Sequence, residues 1–252
     1  MRLAIFTGPS LSHAEARAIL PDANVLPPAA RGDVYRAARM GAEVIALIDG
    51  VFEMVPAVMH KEVLWVLSEG IDVYGASSIG ALRAAELHSF GMIGHGKIYE
   101  AYRDGQIDAD DEVAVLMGPA ELGYPALTEP MVNIRATLAL AVEQGVIPQS
   151  SADALIAIGR SMFFKERTFS ALFDQSRSVV DIGDLETWLP DGRVDQKRAD
   201  AIDLLRRISG DRTSGDGGHR PTFQFVATSI WLQVKQRIDR ELKMEQDGAP
   251  AG

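Results

Sequence analysis

Short apolar runs alternate with stretches of helical period through the first ninety residues. "RLAIFTG", "ANVLPP", "EVIALIDG" and "IDVYGAS" read as strands. Each is followed by a helical pattern: "SHAEARAIL", "RGDVYRAARMG", "VPAVMHKEVLWVLSEG" and "SIGALRAAELHSFG". Strands separated by helices of roughly ten residues predict βαβ units, and so a Rossmann-like parallel sheet with flanking helices. Gly41, Gly70 and Gly91 fall where a left-handed helix cap is wanted. Pro56 fits the first turn of the third helix. In such a sheet, ligands sit beyond the carboxyl ends of the strands. Those ends carry Thr7 to Ser10, Pro27-Pro28, Asp49-Gly50 and Gly75 to Ser78.

Beyond Gly91 the pattern loosens into a glycine-rich and then acidic stretch that includes Asp108, Asp110, Asp111 and Glu112. From about Glu129 the chain reads as helical, in "EPMVNIRATLALAVEQG", "SSADALIAIGRSM" and "DQKRADAIDLLRRIS". Phe223, Val226, Ile230, Val234 and Ile238 recur at helical spacing and predict a long amphipathic helix. "SGDRTSGDGGHRP", from Ser209 to Pro221, reads as a linker. The expected organisation is α/β: a sheet domain over 1–120, a mostly α-helical region over 121–245 and a disordered tail over 246–252.

Composition narrows the chemistry. With 35 acidic against 25 basic residues the net charge is −10, which disfavours nucleic acid as a partner. No apolar run reaches the ~20 residues of a membrane span, and the opening residues read as a first strand rather than a signal segment. A soluble, cytoplasmic protein is expected. The chain has no cysteine, which excludes disulfides, thiolate metal sites and a persulfide carried by this chain. The five histidines are scattered and suggest no transition-metal site. The acidic run could hold Mg²⁺, but no Walker-type loop accompanies it, so neither metal nor cofactor is expected.

Ala76-Ser77-Ser78-Ile79-Gly80 fits a relaxed small-x-Ser-x-Gly turn from strand to helix. Two readings stand: the serines cap the helix, with Ser77 the better N-cap, or Ser78 is a presented nucleophile with the Ile79 N–H as oxyanion donor. A serine nucleophile needs a base. His60, expected in the second turn of the third helix, is the first candidate; His13 is the second, and His88, His95 and His219 lie further off. Asp49 could orient a histidine or cap the chain, with Gly50 allowing close backbone approach. Arg83 and Glu86 could pair on one helix face, or Arg83 could read a substrate carbonyl. Gly8, Gly50, Gly75 and Gly80 put glycines at the turns along this edge.

The blocks "IDGVF", "HKEVL", "YGASSIGALRAAEL", "FGMIGHGKIYEAYRDG" and "DDEVAV", in this order, resemble the TfuA-like protein family. "GPSLSHAEA" and "PPAARGDV" agree with it, so that residues 3 to 117 are covered densely. The resemblance implies a role beside a YcaO enzyme, which uses ATP to replace a peptide backbone oxygen by sulfur. The TfuA-like partner is then expected to recruit a ThiS-like carrier bearing a C-terminal thiocarboxylate and to hydrolyse it, releasing sulfide. A non-catalytic adaptor or allosteric activator of the YcaO enzyme is the alternative, and self-association into a homo-oligomer is left open. In the hydrolytic reading Ser78, His60 and Asp49 are the catalytic candidates. Ile79, Gly50, Ser77, Gly80, Arg83, Glu86 and Gly8 are the binding or oxyanion candidates.

Overall fold

The computed structural model describes residues 2–52, 56–214 and 223–248. The four expected strands are present as β1 (Leu3–Phe6), β2 (Asn24–Leu26), β3 (Val44–Leu47) and β4 (Asp72–Gly75). A short fifth, β5 (Ile93–Gly94), follows the fourth helix. All pair in parallel, in the order β2-β1-β3-β4-β5. The chain therefore reverses its direction of travel across the sheet at β1, which opens a crevice between the ends of β1 and β3. The register sets Phe6 opposite Leu47, and Leu47 opposite Gly75. The loops after β1, β3 and β4 thus start level with one another.

Between the strands lie α1 (His13–Ile19), α2 (Asp33–Arg39), α3 (His60–Ser68) and α4 (Ile79–Leu87), and α5 (Lys97–Arg103) follows β5. Ala4, Phe6, Ile45, Leu47 and Val73 face a core completed by Val34, Val63, Ala84 and Ile98. The alternate residues Leu3, Ile5, Val44, Ala46 and Tyr74 face the other way. Burial of both faces explains why these strands read as continuous apolar runs. The second face is covered by α1 and by a much later helix, α10 (Gln196–Ser214), through Ala201, Leu204, Leu205 and Ile208.

The rest of the later chain forms α6 (Met131–Glu143), α7 (Gln149–Ser161), α8 (Phe169–Ser176), α9 (Leu185–Gly192) and α11 (Ser229–Gln246). Met131, Ile134, Leu138, Leu155, Leu172 and Leu185 make a separate core among α6 to α9. Trp231 of α11 is buried against Tyr35 and Trp65. The α/β sheet with a helical C-terminal region is as expected. None of the described helices is long and apolar enough to cross a membrane.

Four boundaries differ from expectation, each for a local reason. The third helix begins at His60, not near Pro56, so His60 lies at its first position rather than in its second turn. The Pro56 carbonyl is engaged by the Arg31 N–H at 2.9 Å. The helix starts only where Glu62 can turn back to accept from the Met59 N–H at 2.7 Å. β5 lies in the glycine-rich stretch, and two residues carry too little pattern to be read. Residues Ser209 to Ser214 are helical rather than linker. Asp211 there accepts from the Tyr74 hydroxyl at 3.1 Å and pairs with Arg207, and 215–221 lie outside the described residues. The last helix begins at Ser229 instead of Phe223, because Thr228 Oγ1 caps it by accepting from the Trp231 N–H. Of the expected tail, Gln246 closes α11 and residues 249–252 lie outside the described residues.

Two predictions follow from this packing. A Cβ on Gly80 would lie 1.8 Å from the Leu47 carbonyl oxygen, a clash with backbone that no rotamer relieves. Gly80→Ala should cost at least ~3 kcal/mol, measured by urea unfolding, and Gly80→Val should not fold. Glu62 is buried, and burial pushes its carboxyl up to about 7 although the Met59 and Gly32 N–H groups donate to it. A raised folded value means that the native state holds the proton longer than the unfolded chain does. Glu62's contribution is complete below about 4.5 and is lost as pH rises toward about 7. A ¹³C-carboxyl titration should place its midpoint near 7.

Candidate functional site

The corner after β4 is built by close backbone contact. The Gly80 N–H donates to the Ile48 carbonyl at 3.3 Å, and the Ala76 N–H to Leu47 at 3.3 Å. The start of α4 is thus pinned onto the end of β3. Side chains at Gly75 or Gly50 would also collide, with the Gly80 carbonyl at 2.2 Å and with Ile79 Cγ2 at 2.6 Å. To enter the helix from so crowded a corner the chain turns sharply at Ser77, whose φ is +68°. The Ser78 N–H closes the turn on the Ala76 carbonyl at 2.8 Å. A non-glycine residue in that conformation costs on the order of 1–3 kcal/mol.

Neither hydroxyl caps the helix. Ser78 holds the N-cap position, yet its side chain makes no cap bond. Ser77 is 0% exposed and its Oγ has no hydrogen-bond partner. A buried, unpaired hydroxyl costs roughly 1–3 kcal/mol. Ser78 is 7% exposed and lines a small cavity with Gly50, Phe52, Ile79, Asp110 and Val113. Its volume is about 20 Å³, enough for one water molecule. Ile79 opens α4 and so has no acceptor within the helix. Neither its N–H nor that of Gly50 donates to another described group. The cavity is therefore bordered by a hydroxyl and by two residues with unspent amide donors.

The other candidates fall into two groups away from Ser78. Asp49 is fully buried, and it accepts from the Gly8 and Ser10 N–H groups at 2.9 Å and from the Ser10 hydroxyl at 2.6 Å. It ties the turn after β1 across the crevice, with Gly8 pressed against Pro28. His60, Glu86 and Arg83 form a cluster further along α4. His60 Nε2 lies 2.8 Å from Glu86 Oε2, and Arg83 donates to the same oxygen at 2.6 Å and to the Val58 carbonyl at 3.0 Å. Burial raises the Glu86 carboxyl, but the bonds from His60 and Arg83 outweigh it and hold the group below its ordinary value. His13 Nε2 sits 3.1 Å from the Thr7 carbonyl, His88 and His95 bond elsewhere, and His219 lies outside the described residues. Among the described residues no histidine bonds to Ser78 or Asp49.

Two features escaped sequence reading. Lys197, from α10, is buried with Nζ 2.9 Å from the Val113 carbonyl and 3.9 Å from Asp49 Oδ1. Burial pushes its ammonium down, opposed by Asp49, Asp195 and Glu129. Nothing in "DQKRAD" distinguishes this lysine from a solvated one. The acidic run is divided among different tasks. Glu112 accepts twice from Arg135, at 2.9 and 2.7 Å, and Asp111 accepts from the buried Arg167 at 2.7 Å. Asp110 lines the Ser78 cavity.

The roomier clefts lie elsewhere. One of about 400 Å³ runs between β1, β2 and α2, and one of about 530 Å³ between α2 and α11. Neither is lined by a residue of the serine corner, so size is outweighed here by the strained turn and the unpaired donors.

Residues 49–168 match the family model described as TfuA-like protein. No curated protein matches the chain. The matched stretch contains Asp49, the whole serine corner, the acidic turn and Arg167.

The strain at Ser77 yields a stability prediction. Ser77→Gly removes both the left-handed penalty and the orphan hydroxyl, against a larger unfolded-state entropy. The variant should be more stable by about 1 kcal/mol, seen as a higher urea midpoint at unchanged slope.

Proposed function

With residues 49–168 assigned to the TfuA-like family, we propose that this chain supports YcaO-dependent backbone thioamidation by hydrolysing the thiocarboxylate of a ThiS-like carrier. The observation that carries the reading is the serine corner: a strained turn presents Ser78 to a small cavity without giving its hydroxyl a capping role. The chemistry fits a thiocarboxylate. Its carbonyl carbon is the electrophile, and the Ser78 hydroxyl is the nucleophile. The negative charge that develops on its oxygen falls beside the N–H groups of Ile79 and Gly50, where donors fixed in advance are most effective.

The cavity has room for about one water molecule, so a carrier tail must part its lining, and a tail ending in two glycines does so with the least displacement. Crowding by Pro9, Gly50, Phe52 and Met117 around the cavity favours a tail without side chains over a bulky acyl group. The chain needs no cofactor of its own in this reading, since ATP is consumed by the YcaO enzyme. With no cysteine, it releases sulfur as sulfide rather than passing it on as a persulfide.

Purified protein incubated with thiocarboxylated carrier should release sulfide and leave the carrier as carboxylate, followed by carrier mass. Ser78→Ala should slow this by at least ~100-fold with an unchanged melting temperature, because the hydroxyl makes no cap bond. Turnover absent in the wild type alone, with stimulation of the YcaO enzyme retained, would transfer the assignment to the adaptor reading.

A further inference from the structure

We propose that Asp110 is the proton acceptor and donor of the Ser78 cavity, held at its post by two arginines of the helical region. The sequence offered His60 and Asp49 for this role, but His60 is bonded to Glu86 and the Asp49 carboxylate is consumed by Gly8 and Ser10. Asp110 is the ionisable residue among those that line the cavity with Ser78. Its carboxylate has no hydrogen bond or ion pair among the described residues, whereas Asp111 is bonded to Arg167 and Glu112 to Arg135.

The engagement of those neighbours is what positions it. Asp110–Glu112 form a single 3-10 turn. Arg167, fully buried, donates to the Asp111 carbonyl at 3.2 Å, to Asp111 Oδ2 at 2.7 Å and to the carbonyls of Gly159 and Met162. Arg135 of α6 grips Glu112 through two bonds. The rigid forks of two guanidiniums fix the turn from below, and Lys197 holds the next carbonyl, that of Val113. With Asp111 and Glu112 tied to arginines of the helical region, Asp110 is left to line the cavity. The titratable and charged groups on this turn and on the elements paired with it are Tyr102, Asp108, Asp111, Glu112, Arg135, Arg160 and Arg167.

The inference rests on the hydrolytic reading, and the step balances as follows. Ser78 Oγ bonds to the thiocarboxylate carbon while its proton passes to Asp110. The tetrahedral species collapses by breaking the carbon–sulfur bond, and Asp110 returns that proton to the departing sulfur, which leaves as hydrosulfide. Without a proton the leaving group would be the far more basic sulfide dianion. Water then attacks the serine ester, losing one proton to Asp110, which passes it to Ser78 Oγ as the ester carbon–oxygen bond breaks. The carrier leaves as its carboxylic acid, whose remaining proton goes to solvent.

The test is Asp110→Asn beside Asp110→Glu, with the wild-type protein and thiocarboxylated carrier. Asp110 is exposed and unbonded, so both variants should melt with the wild type. The expected result is a kcat at least ~30-fold lower in Asp110→Asn at similar KM. The acidic limb of the rate–pH profile should vanish in the same variant, and Asp110→Glu should recover part of the rate. Wild-type rate and profile in Asp110→Asn would overturn the proposal. A second readout needs no carrier: covalent labelling of Ser78 by a small fluorophosphonate, located by peptide mass. Labelling at least ~10-fold slower in Asp110→Asn, with a wild type inert toward the carrier, would keep Asp110 and discard the thiocarboxylate reading. Equal labelling in the two proteins would overturn Asp110 whatever the carrier does.

Discussion

The contact on which the site depends is the one between Gly80 and the end of β3. Backbone there meets backbone with no room for a methyl group, and the Gly80 N–H is bonded to the Ile48 carbonyl. Once the first turn of α4 is fixed so close to the neighbouring strand, too few residues separate it from β4 for a relaxed connection. The strain is concentrated at Ser77, and Ser78 is delivered to the cavity beside Gly50. The glycines at 50 and 75 answer the same crowding. A corner of this kind is costly: backbone strain and a buried unpaired hydroxyl together amount to roughly 2–6 kcal/mol. A domain with a net stability of order 10 kcal/mol tolerates that only with a well-packed sheet beneath it.

The later helices do more than extend the chain. α10 closes the second face of the sheet and carries Lys197 into the crevice near Asp49. α6 supplies Arg135, and the segment leading into α8 supplies Arg167. These cations are worth little as stabilisers in the ordinary sense, since burying a guanidinium forfeits hydration that its partners only replace. Their value lies in geometry. Arg167 spends its donors on four acceptors from two stretches of chain, so the acidic turn cannot slide against the sheet without leaving a buried charge unpaired.

The division between what the sequence discloses and what it conceals follows from range. The strands β1, β3 and β4 are legible because both faces are buried and the apolar runs are continuous. The serine corner is legible because small residues cluster where a strand pattern gives way to a helical one. Gly50 and Ile79 were named from neighbouring positions and do line one cavity with Ser78. What could not be read depends on contacts between distant residues. Asp49 looks like a partner for a histidine until the turn after β1 folds over it. His60 looks close to the strand ends, but its helix begins later than the apolar pattern suggests, and it meets Glu86 instead. In the acidic run three adjacent carboxylates look alike, and only arginines 23 and 56 residues away divide them.

The lack of cysteine and the smallness of the cavity bear on each other. A thiol chain could hold the sulfur of its substrate and hand it on later. A serine site cannot, because the sulfur departs as the leaving group while the protein keeps the acyl part. On the hydrolytic reading, the small nucleophile must therefore be released where it is used, or it diffuses away. Room for about one water molecule beside Ser78 leaves little space in which to store it. A protein of this design gains nothing from turning over its carrier in isolation. On the same reading its chemistry is useful only when the cavity lined by Asp110 and Phe52 faces the enzyme that consumes the sulfide. Catalysis and docking are then two demands on the same edge of the sheet, and the hydrolytic and adaptor roles become successive parts of one task.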